Sequence, residues 1–428
     1  MKNEVLLRDK LVMRYTVKAP SVLKADIKLP ASKSIGNRAL VINALAGGSY
    51  MPDNLSDCDD TDVILRALRD MPYEIDIKAA GTAMRFMTAY LAATHGEHVI
   101  TGTERMRHRP ISVLVDALRS LGAHIDYVGE EGFPPLRIEG RQLYGRQLDI
   151  PGNVSSQYIS ALLMIGPTLT TDLELHLTGD IFSRPYIDLT LWMMKEYGAD
   201  AEWTDKDTIL VKAQPYTSRP YYIENDWSAS SYWYEMMALS GGEDDEVVLE
   251  GLTDGSKQGD SMSRYIFSLL GVKTTFIPSS IPGIQSVRLR NKGRCVPRLE
   301  YDFVNAPDLA QTFVVTCLAL NVPFVFTGLK TLKIKETDRI EALKTEARKL
   351  GYVLRDVDGS QLIWDGERCA PRQDVAIDTY EDHRMALAFA PLAFVLPEIR
   401  INNPHVVTKS YPHYWEDLRS AGFQITEV

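Results

Sequence analysis

The sequence predicts an α/β fold of two lobes, each assembled from three copies of one αβ unit. Two interleaved series of elements, repeated along the chain at one period, predict this fold. In the first series a short β-rich run ends in Gly or Asn, and the helix that follows it ends in Gly about 20 residues later. The strands of this series end 72–77 residues apart, at Gly102, Gly179, Gly251, Gly328 and Asn403.

The second series consists of apolar helices that begin at small or polar residues. The last four intervals between their starts are 74–78 residues, whereas the first interval is 48 residues. The first of the six units is therefore predicted to be shortened and to lack a strand or a helix between Arg66 and Ala80. The helix starts lie near Ser34, Thr82, Ser156, Ser230, Asp308 and Asp382.

Six units divide into two lobes of roughly 200 residues each. Pro30 and the polar stretch Ile223–Asp226 are the predicted crossings, so the first lobe spans 29–225 and the second spans 1–28 and 226–428. The leading segment contains the run V-L-K-A-D-I-K-L, which alternates like a strand and is expected to pair within the second lobe. A ligand is then expected in the cleft between the lobes.

Composition excludes several classes of function. The chain has 428 residues, 45% of them apolar, and no apolar run is long enough to cross a membrane. The net charge of −10 argues against nucleic acid or an anionic membrane as a partner. The N-terminus carries charges where a signal peptide is apolar, which predicts a cytoplasmic protein. The four cysteines are widely spaced and no two histidines have the spacing of a metal site, so no metal site is predicted. The P-loop motif is absent as well, which argues against a P-loop nucleotide site.

Cations collect at the predicted helix starts. In the stretch L-P-A-S-K-S-I-G-N-R-A-L, Lys33 and Ser34 open a helix and Arg38 lies one turn further on. A cation at a helix N-terminus opposes the macrodipole by about 0.3–1 kcal/mol. The repetition of this feature indicates that a bound anion supplies the missing negative charge. Other helix starts and strand ends add Gly81, Arg85, Arg105, Ser155, Ser156, Gln157, Ser183, Tyr186, Lys335, Arg339, Arg384 and Lys409.

Two acids stand among these cations. Asp308 follows Pro307, where it is either a helix N-cap or a proton acceptor for a substrate hydroxyl. Glu336 is next to Lys335, where it is either half of a surface ion pair or a group for proton transfer. Glu336 and Lys33 are the candidate proton donors.

The motifs L-P-A-S-K-S-I-G-N-R-A-L, G-T-A-M-R, S-S-Q, K-E-T-D-R-I and D-H-R-M-A resemble, in order and spacing, those of the EPSP synthase family of enolpyruvyl transferases. The resemblance runs from about Leu29 to Lys409. It implies two lobes of three βαβαββ units, with helix N-termini facing an active site in the inter-lobe cleft. It also implies transfer of the carboxyvinyl group of phosphoenolpyruvate to the 5-hydroxyl of shikimate 3-phosphate, on the pathway to chorismate and aromatic amino acids.

The resemblance implies roles for individual residues, with Asp308 as base, Glu336 or Lys33 as proton donor, and no cofactor. Thr331 stands where the family usually has an Asn that contacts the sugar phosphate, so that role is not assigned. The two small-molecule substrates are the expected partners of a monomeric protein. Expected shikimate 3-phosphate contacts are Lys33, Ser34, Arg38, Ser155, Ser156, Gln157, Ser183, Tyr186, Asp308 and Lys335. Expected phosphoenolpyruvate contacts are Lys33, Gly81, Arg105, Gln157, Arg339, Arg384 and Lys409.

Two alternative functions come from the same fold. A sister enzyme transfers enolpyruvate to UDP-N-acetylglucosamine, but it typically has a reactive cysteine in the loop that corresponds to Arg105–Pro110, where this chain has none. A non-catalytic phosphosugar-binding protein would be expected to have lost the acid–base pair, whereas Asp308 and Glu336 are both present.

Overall fold

The structure is a computed structural model that describes residues 13–48 and 50–428. Its described residues form five four-stranded mixed sheets with helices packed against them, in agreement with the predicted α/β class. The charged stretch of residues 1–10, used above to argue against a signal peptide, lies outside the described residues.

The first two strands belong to sheets that are otherwise built much later in the chain. The chain begins with β1 (Arg14–Lys18), β2 (Lys24–Lys28), α1 (Lys33–Leu45) and α2 (Asp59–Asp70). β1 pairs antiparallel with the strands Ile399–Asn402 and Gln424–Glu427. β2 pairs in parallel with Glu246–Leu252, so the alternating run in the leading segment pairs where the sequence predicted.

The first unit is the shortened one. It keeps its two helices, α1 and α2, but none of the five sheets belongs to it. Its strands are reduced to isolated bridges, one between Ala31 and Asn225 and one between Asp53 and Tyr222. The prediction that an element is missing is therefore confirmed, and the missing element is the sheet.

The second and third units are complete βαβαββ units. In each, the first two strands are parallel and the last two form an antiparallel hairpin, which gives the sheet orders β3-β4-β6-β5 and β7-β8-β10-β9. Their elements are β3 (Glu74–Asp76), α3 (Gly81–Ala93), β4 (Gly96–Thr101), α4 (Glu104–Arg107), α5 (Ser112–Ser120), β5 (His124–Tyr127), β6 (Leu136–Gly140), β7 (Gln147–Pro151), α6 (Ser156–Ile165), β8 (Leu173–Thr178), α7 (Arg184–Glu196), β9 (Ala201–Trp203) and β10 (Thr208–Val211).

The last three units follow the same plan, with β2 as first strand of the fourth unit and β1 as an inner strand of the sixth. Their elements are α8 (Trp227–Ser240), β11 (Glu246–Leu252), α9 (Ser263–Leu269), β12 (Val272–Pro278), β13 (Gln285–Asn291), β14 (Leu299–Asp302), α10 (Ala310–Leu320), β15 (Phe324–Thr327), α11 (Arg339–Lys349), β16 (Arg355–Val357), β17 (Gln361–Trp364), β18 (Ala376–Ile377), α12 (His383–Phe389), β19 (Ile399–Asn402), α13 (Tyr414–Ser420) and β20 (Gln424–Glu427).

The buried apolar side chains form two separate clusters. One is built from residues between Ala31 and Ile223, and the other combines Tyr15–Leu29 with residues between Trp227 and Phe423. We propose that these clusters are the cores of the two predicted lobes, with the first crossing just after Leu29, since Leu29 packs in the second cluster. No helix within the two described ranges is long and apolar enough to cross a bilayer.

Helices α3, α6, α8 and α10 are buried along nearly their whole length. A helix that is apolar on all sides lies in a core, which leaves mainly its ends to meet solvent. The first turn of each such helix has N–H groups without an intrahelical partner. The fold therefore directs polar helix N-termini from both clusters toward the space between them.

Candidate active site

A polar cleft lies between the two clusters and draws its walls from both. The predicted contact residues that line it are Lys33, Ser34, Arg38, Gly81, Ser155, Ser156, Gln157, Ser183, Tyr186, Asp308, Lys335, Glu336, Arg339 and Arg384. The structure thus gathers in one cavity nearly all the residues that the helix starts and strand ends suggested.

Helix caps fix the walls of the cleft. The Ser32 hydroxyl accepts a hydrogen bond from the Ile35 amide at 3.4 Å, and the Asp382 carboxylate accepts one from the Arg384 amide at 3.0 Å. Capping oxygens of this kind satisfy amides that the helix leaves free. Lys33 and Arg384 are therefore held in the first turns of α1 and α12, with their side chains at the cleft.

Arg339 is the centre of the charge network on the second-cluster wall. The residue is 1% exposed, and its guanidinium lies 2.8 Å from Asp308 Oδ1, 2.8 Å from Glu336 Oε2 and 2.6 Å from Asp382 Oδ2. The sequence suggested that a ligand balances the cations at helix starts. On this wall protein carboxylates balance them.

Asp308 does not cap a helix. It lies in the short 3-10 turn Pro307–Leu309 before α10 and makes no capping hydrogen bond. Its carboxylate lies 3.1 Å from Arg384 Nη2 and 3.4 Å from Lys335 Nζ. Burial raises the pKa of Asp308, but Arg384, Lys335 and Arg339 outweigh burial and hold that pKa well below its ordinary value. Asp308 is therefore ionised at neutral pH.

Glu336 contacts Arg339 and Lys409 and is not paired with its neighbour Lys335. Lys409 Nζ lies 2.7 Å from Glu336 Oε1 and donates a hydrogen bond to the Ala79 carbonyl at 3.0 Å. Burial raises the pKa of Glu336, but Lys409 and Arg339 outweigh it and keep that pKa well below the ordinary value. Glu336 is thus ionised at neutral pH.

Lys33 holds its proton firmly. Its Nζ lies 3.2 Å from Asp60 Oδ2 at the start of α2. Burial lowers the pKa of Lys33, but the Asp60 carboxylate overcomes this effect, so the pKa stays above its usual value. Asp60 was not among the predicted site residues, because it comes from the shortened unit, where the period that identified the other positions breaks down.

Among residues 13–48 and 50–428, Arg38 is held by neutral acceptors alone. Its guanidinium donates to Thr190 Oγ1 at 2.7 Å, to the Ser34 carbonyl at 2.8 Å, and to Ser160 Oγ and the Tyr186 carbonyl at 3.2 Å each. Burial lowers the pKa of Arg38 to about 10. A rigid, buried guanidinium without an acid partner is suited to a phosphate or a carboxylate.

Two predicted contacts do not line the cavity. Arg105 is exposed, and its guanidinium donates to the backbone carbonyls of Glu336 at 3.1 Å and Lys335 at 3.3 Å. Lys409 lies behind Glu336, as described above. Both side chains connect the two walls of the cleft. Further residues line it that the predicted contact sets omitted, namely Asp60, Thr82, Arg85, Arg109, Asp226, Ser228, Tyr232, Thr331 and His383.

Direct hydrogen bonds join the walls on the side of α7. The Ser183 amide donates to the Val304 carbonyl at 3.0 Å, and the Tyr186 hydroxyl donates to Asp260 Oδ1 at 3.2 Å. Asp260 is 2% exposed, and its Oδ2 accepts a hydrogen bond from the Ser228 hydroxyl. The lobes are therefore in contact around the cleft.

Asp260 predicts a pH-dependent contribution to stability. Burial raises the pKa of Asp260 to about 6, Arg384 opposes the rise, and Asp308 adds to it. The folded protein then binds this proton more tightly than the unfolded chain, so the wild type loses stability as pH rises from about 4 to 6. The Asp260→Asn variant lacks this titration. Its free energy of unfolding relative to wild type is expected to increase by about 3 kcal/mol between pH 4 and pH 7.

Urea denaturation at several pH values measures this difference. The comparison uses only the pH dependence of the difference between the two proteins, because the amide also changes the hydrogen bonds to Tyr186 and Ser228. A difference that stays constant from pH 4 to pH 7 would contradict the raised pKa.

Comparison with known proteins finds the same family throughout. The sequence profile of the family described as EPSP synthase (3-phosphoshikimate 1-carboxyvinyltransferase) matches residues 17–76 and 70–418. The chain is 61% identical over 413 residues to the 3-phosphoshikimate 1-carboxyvinyltransferase of Bacteroides fragilis, covering 96% of this chain and 99% of that one. It is 34% identical to the protein of the same name from Tolumonas auensis, over 93% of this chain and 96% of the other.

The fold is likewise similar to solved structures. The structure of EPSP synthase from Acinetobacter baumannii superposes with a TM-score of 0.77 at 21% identity, covering 97% of this chain and 100% of that chain. At this identity the similarity supports the two-lobed fold alone.

Proposed function

Because this chain belongs to the EPSP synthase family, we propose that the cleft between its lobes is the site of 3-phosphoshikimate 1-carboxyvinyl transfer. The chain is a transferase of the shikimate pathway. Its reaction joins the carboxyvinyl group of phosphoenolpyruvate to the 5-hydroxyl of shikimate 3-phosphate and releases phosphate. The cytoplasmic location and the monomeric state remain predictions from the sequence.

We assign shikimate 3-phosphate to the side of the cleft formed by α1, α6 and α7. Arg38 offers a fixed guanidinium that has no acid partner in the part of the chain that the structure describes, and Ser155 and Ser156, at the start of α6, also line the cleft. A helix N-terminus with hydroxyl groups and a nearby cation favours a phosphate group. Further proposed contacts are Lys33, Ser34, Gln157, Ser183, Tyr186, Asp308 and Lys335.

Phosphoenolpyruvate is assigned to the space between α3 and the Arg339 network. Gly81 begins α3 without a side chain, so a ligand can approach the backbone there. Gln157 Nε2 is positioned close to this point by its hydrogen bond to Thr82 Oγ1 at 3.2 Å. Further proposed contacts are Lys33, Arg105, Arg339, Arg384 and Lys409, of which Arg105 and Lys409 would act after releasing their present partners.

The proposed mechanism is addition followed by elimination. Asp308, whose pKa its cationic neighbours lower, accepts the proton of the 5-hydroxyl as that oxygen attacks C2 of phosphoenolpyruvate. Lys33 or Glu336 is the proposed donor of the proton to the methylene carbon. Lys33 carries a proton at neutral pH but its raised pKa makes it a weak acid, whereas Glu336 is ionised and would first have to take up a proton. The tetrahedral adduct then expels phosphate, while the group that donated the first proton takes one back from the new methyl carbon, and this restores the vinyl double bond. Contact between the lobes excludes water, which would otherwise attack the same carbon.

The observation that carries this proposal is the placement of Asp308 within a cluster of cations on one wall, opposite Lys33 on the other. The protein is expected to release phosphate from phosphoenolpyruvate only when shikimate 3-phosphate is present. The assay compares shikimate 3-phosphate with UDP-N-acetylglucosamine under identical conditions. Release with the nucleotide sugar would favour the sister enzyme, and no release with either acceptor would favour a binding protein.

A further inference from the structure

Two buried hydroxyl groups hold the guanidinium of Arg38 from behind the wall of the cleft. Thr190 in α7 and Ser160 in α6 are both fully buried, and neither lines the cavity. Arg38 Nε donates a hydrogen bond to Thr190 Oγ1 at 2.7 Å, and Arg38 Nη2 donates one to Ser160 Oγ at 3.2 Å. The two hydroxyls therefore act on a group that lines the cleft without lining it themselves.

The hydrogen bonds among these groups can run in only one direction, because a hydroxyl has one proton to donate. Thr190 donates its proton to the Tyr186 carbonyl at 2.8 Å. In its 2.8 Å contact with Ser160 it is therefore the acceptor, and Ser160 is the donor. Thr190 Oγ1 thus takes part in three hydrogen bonds at once, and a methyl group in its place would break all three.

Arg38 keeps one N–H group for a ligand in the cleft. Its Nη1 donates to the Ser34 carbonyl at 2.8 Å, and its Nη2 also donates to the Tyr186 carbonyl at 3.2 Å. With the two hydroxyls, described residues use four of the five N–H donors, and the fifth is on Nη1. The bond from Nε to Thr190 fixes the rotation of the planar group, and with it the direction of this last N–H.

Neutral partners orient this guanidinium without cancelling its charge. Arg339 and Arg384 have carboxylate oxygens at 2.6 Å and 3.1 Å, so protein acids balance much of their charge. Arg38 has no such carboxylate among the residues that the structure describes. Hydroxyl and carbonyl oxygens satisfy its N–H groups and leave a net positive charge for an anionic ligand. The hydroxyls behind Arg38 therefore suit ligand binding as well as packing.

We propose that Thr190 is a positioning residue for shikimate 3-phosphate, because its hydroxyl holds the guanidinium of Arg38 in the orientation that binds this anionic substrate. This inference rests on the proposed function. The same hydroxyl holds the carbonyl of Tyr186, so two of the proposed contacts depend on it. A side chain fixed in its binding orientation loses less freedom when the ligand arrives. Loss of the hydroxyl thus weakens the binding of one substrate and leaves the chemical step unchanged.

Steady-state kinetics of Thr190→Val, Thr190→Ser and the control Thr88→Val test the proposal. Thr88 is equally buried in α3 and donates to the Met84 carbonyl one turn back at 2.7 Å, as Thr190 does in α7, but no hydrogen bond in the described ranges joins it to an arginine. We expect Thr190→Val to raise the KM for shikimate 3-phosphate by about 5–50-fold, with kcat and the KM for phosphoenolpyruvate within about twofold. Thr190→Ser keeps the hydroxyl and is expected to restore most of the affinity, while Thr88→Val matches the wild type.

A double-mutant cycle with Arg38→Gln shows whether Thr190 acts through Arg38. On the Arg38→Gln background, Thr190→Val is expected to change the KM for shikimate 3-phosphate by less than about twofold, because the group that it positions is gone. Independent effects of the two substitutions would contradict the proposal. If Thr190→Val does not fold, Ser160→Ala tests the same network, with an expected rise in this KM of about 2–10-fold.

Thermal denaturation with and without shikimate 3-phosphate measures binding separately from turnover. The rise in Tm that this substrate gives the wild type is expected to shrink in Thr190→Val and to return in Thr190→Ser. The proposal would be overturned by an unchanged KM for shikimate 3-phosphate, by an equal rise in the KM for phosphoenolpyruvate, or by a Thr190→Ser variant no better than Thr190→Val. A wild-type protein that shows no turnover would instead count against the proposed function.

Discussion

Replacing Asp308 with Asn is expected to lower kcat by about 10²–10⁴-fold, the range found when a positioned general base is lost. The amide has nearly the size of the carboxylate but cannot accept the proton of the attacking hydroxyl. Its loss also removes the charge that Arg384 and Lys335 face at 3.1 and 3.4 Å. The measurement is phosphate release with both substrates at saturation.

Two further variants make this result interpretable. Asp302→Asn changes an exposed acid six residues earlier, where Asn is an equally good cap for the turn, so normal turnover is expected. Asp308→Glu keeps a base and is expected to recover part of the lost rate. If Asp308→Asn turned over at a near-normal rate, Asp308 could not be the base.

Replacing Arg339 with Gln is expected to have the largest effect on stability, about 3–5 kcal/mol of the free energy of unfolding. Arg339 is 1% exposed and its guanidinium contacts three carboxylates, so its removal leaves buried negative charges with too few partners. Turnover should be lost as well, because the wall that holds Asp308 and Glu336 is disturbed. Urea denaturation and far-UV circular dichroism at pH 7 measure the loss.

The sign of the pH dependence provides a further check. The pKa values of Asp308 and Glu336 are lower in the folded protein than in the unfolded chain, so their stabilising contribution is present at neutral pH. It disappears as pH falls through the lowered values. The difference in the free energy of unfolding between Arg339→Gln and wild type should therefore become smaller at acidic pH. Arg348→Gln changes an exposed residue of the same helix and is expected to lower the free energy of unfolding only slightly. An equal loss of stability in both variants would contradict the role of Arg339.

The order of strands and helices could be predicted because the same local sequence signals recur in every complete unit. The predicted strand ends at Gly179 and Gly328 fall one residue after β8 and β15, and both glycines have positive φ, a conformation that glycine adopts without strain. The helix starts were likewise predicted within a few residues. Burial and capping act locally, so their patterns appear in the sequence.

The acid partners of the cations could not be predicted in the same way. Asp382 was predicted to lie at a helix start, but its contact with Arg339 joins residues 43 positions apart and depends on how α11 and α12 pack. Asp60 lies in the shortened unit, where no repeat marks it. Spacing alone also did not show that Arg109, and not Arg105, faces the cleft, because α4 has only four residues and its side-chain directions depend on the opposite wall.

The pairing of β1 has a consequence for the order in which a nascent chain folds. β1 pairs with β19 and β20, and β2 pairs with β11. Both strands are therefore synthesised long before their partners. Residues 31–223 are synthesised before these partner strands, so they can form their own hydrophobic core first. The lobe that contains the first strands is thus finished last. Until Gln424–Glu427 has been synthesised, β1 has an open edge to which a foreign strand could pair.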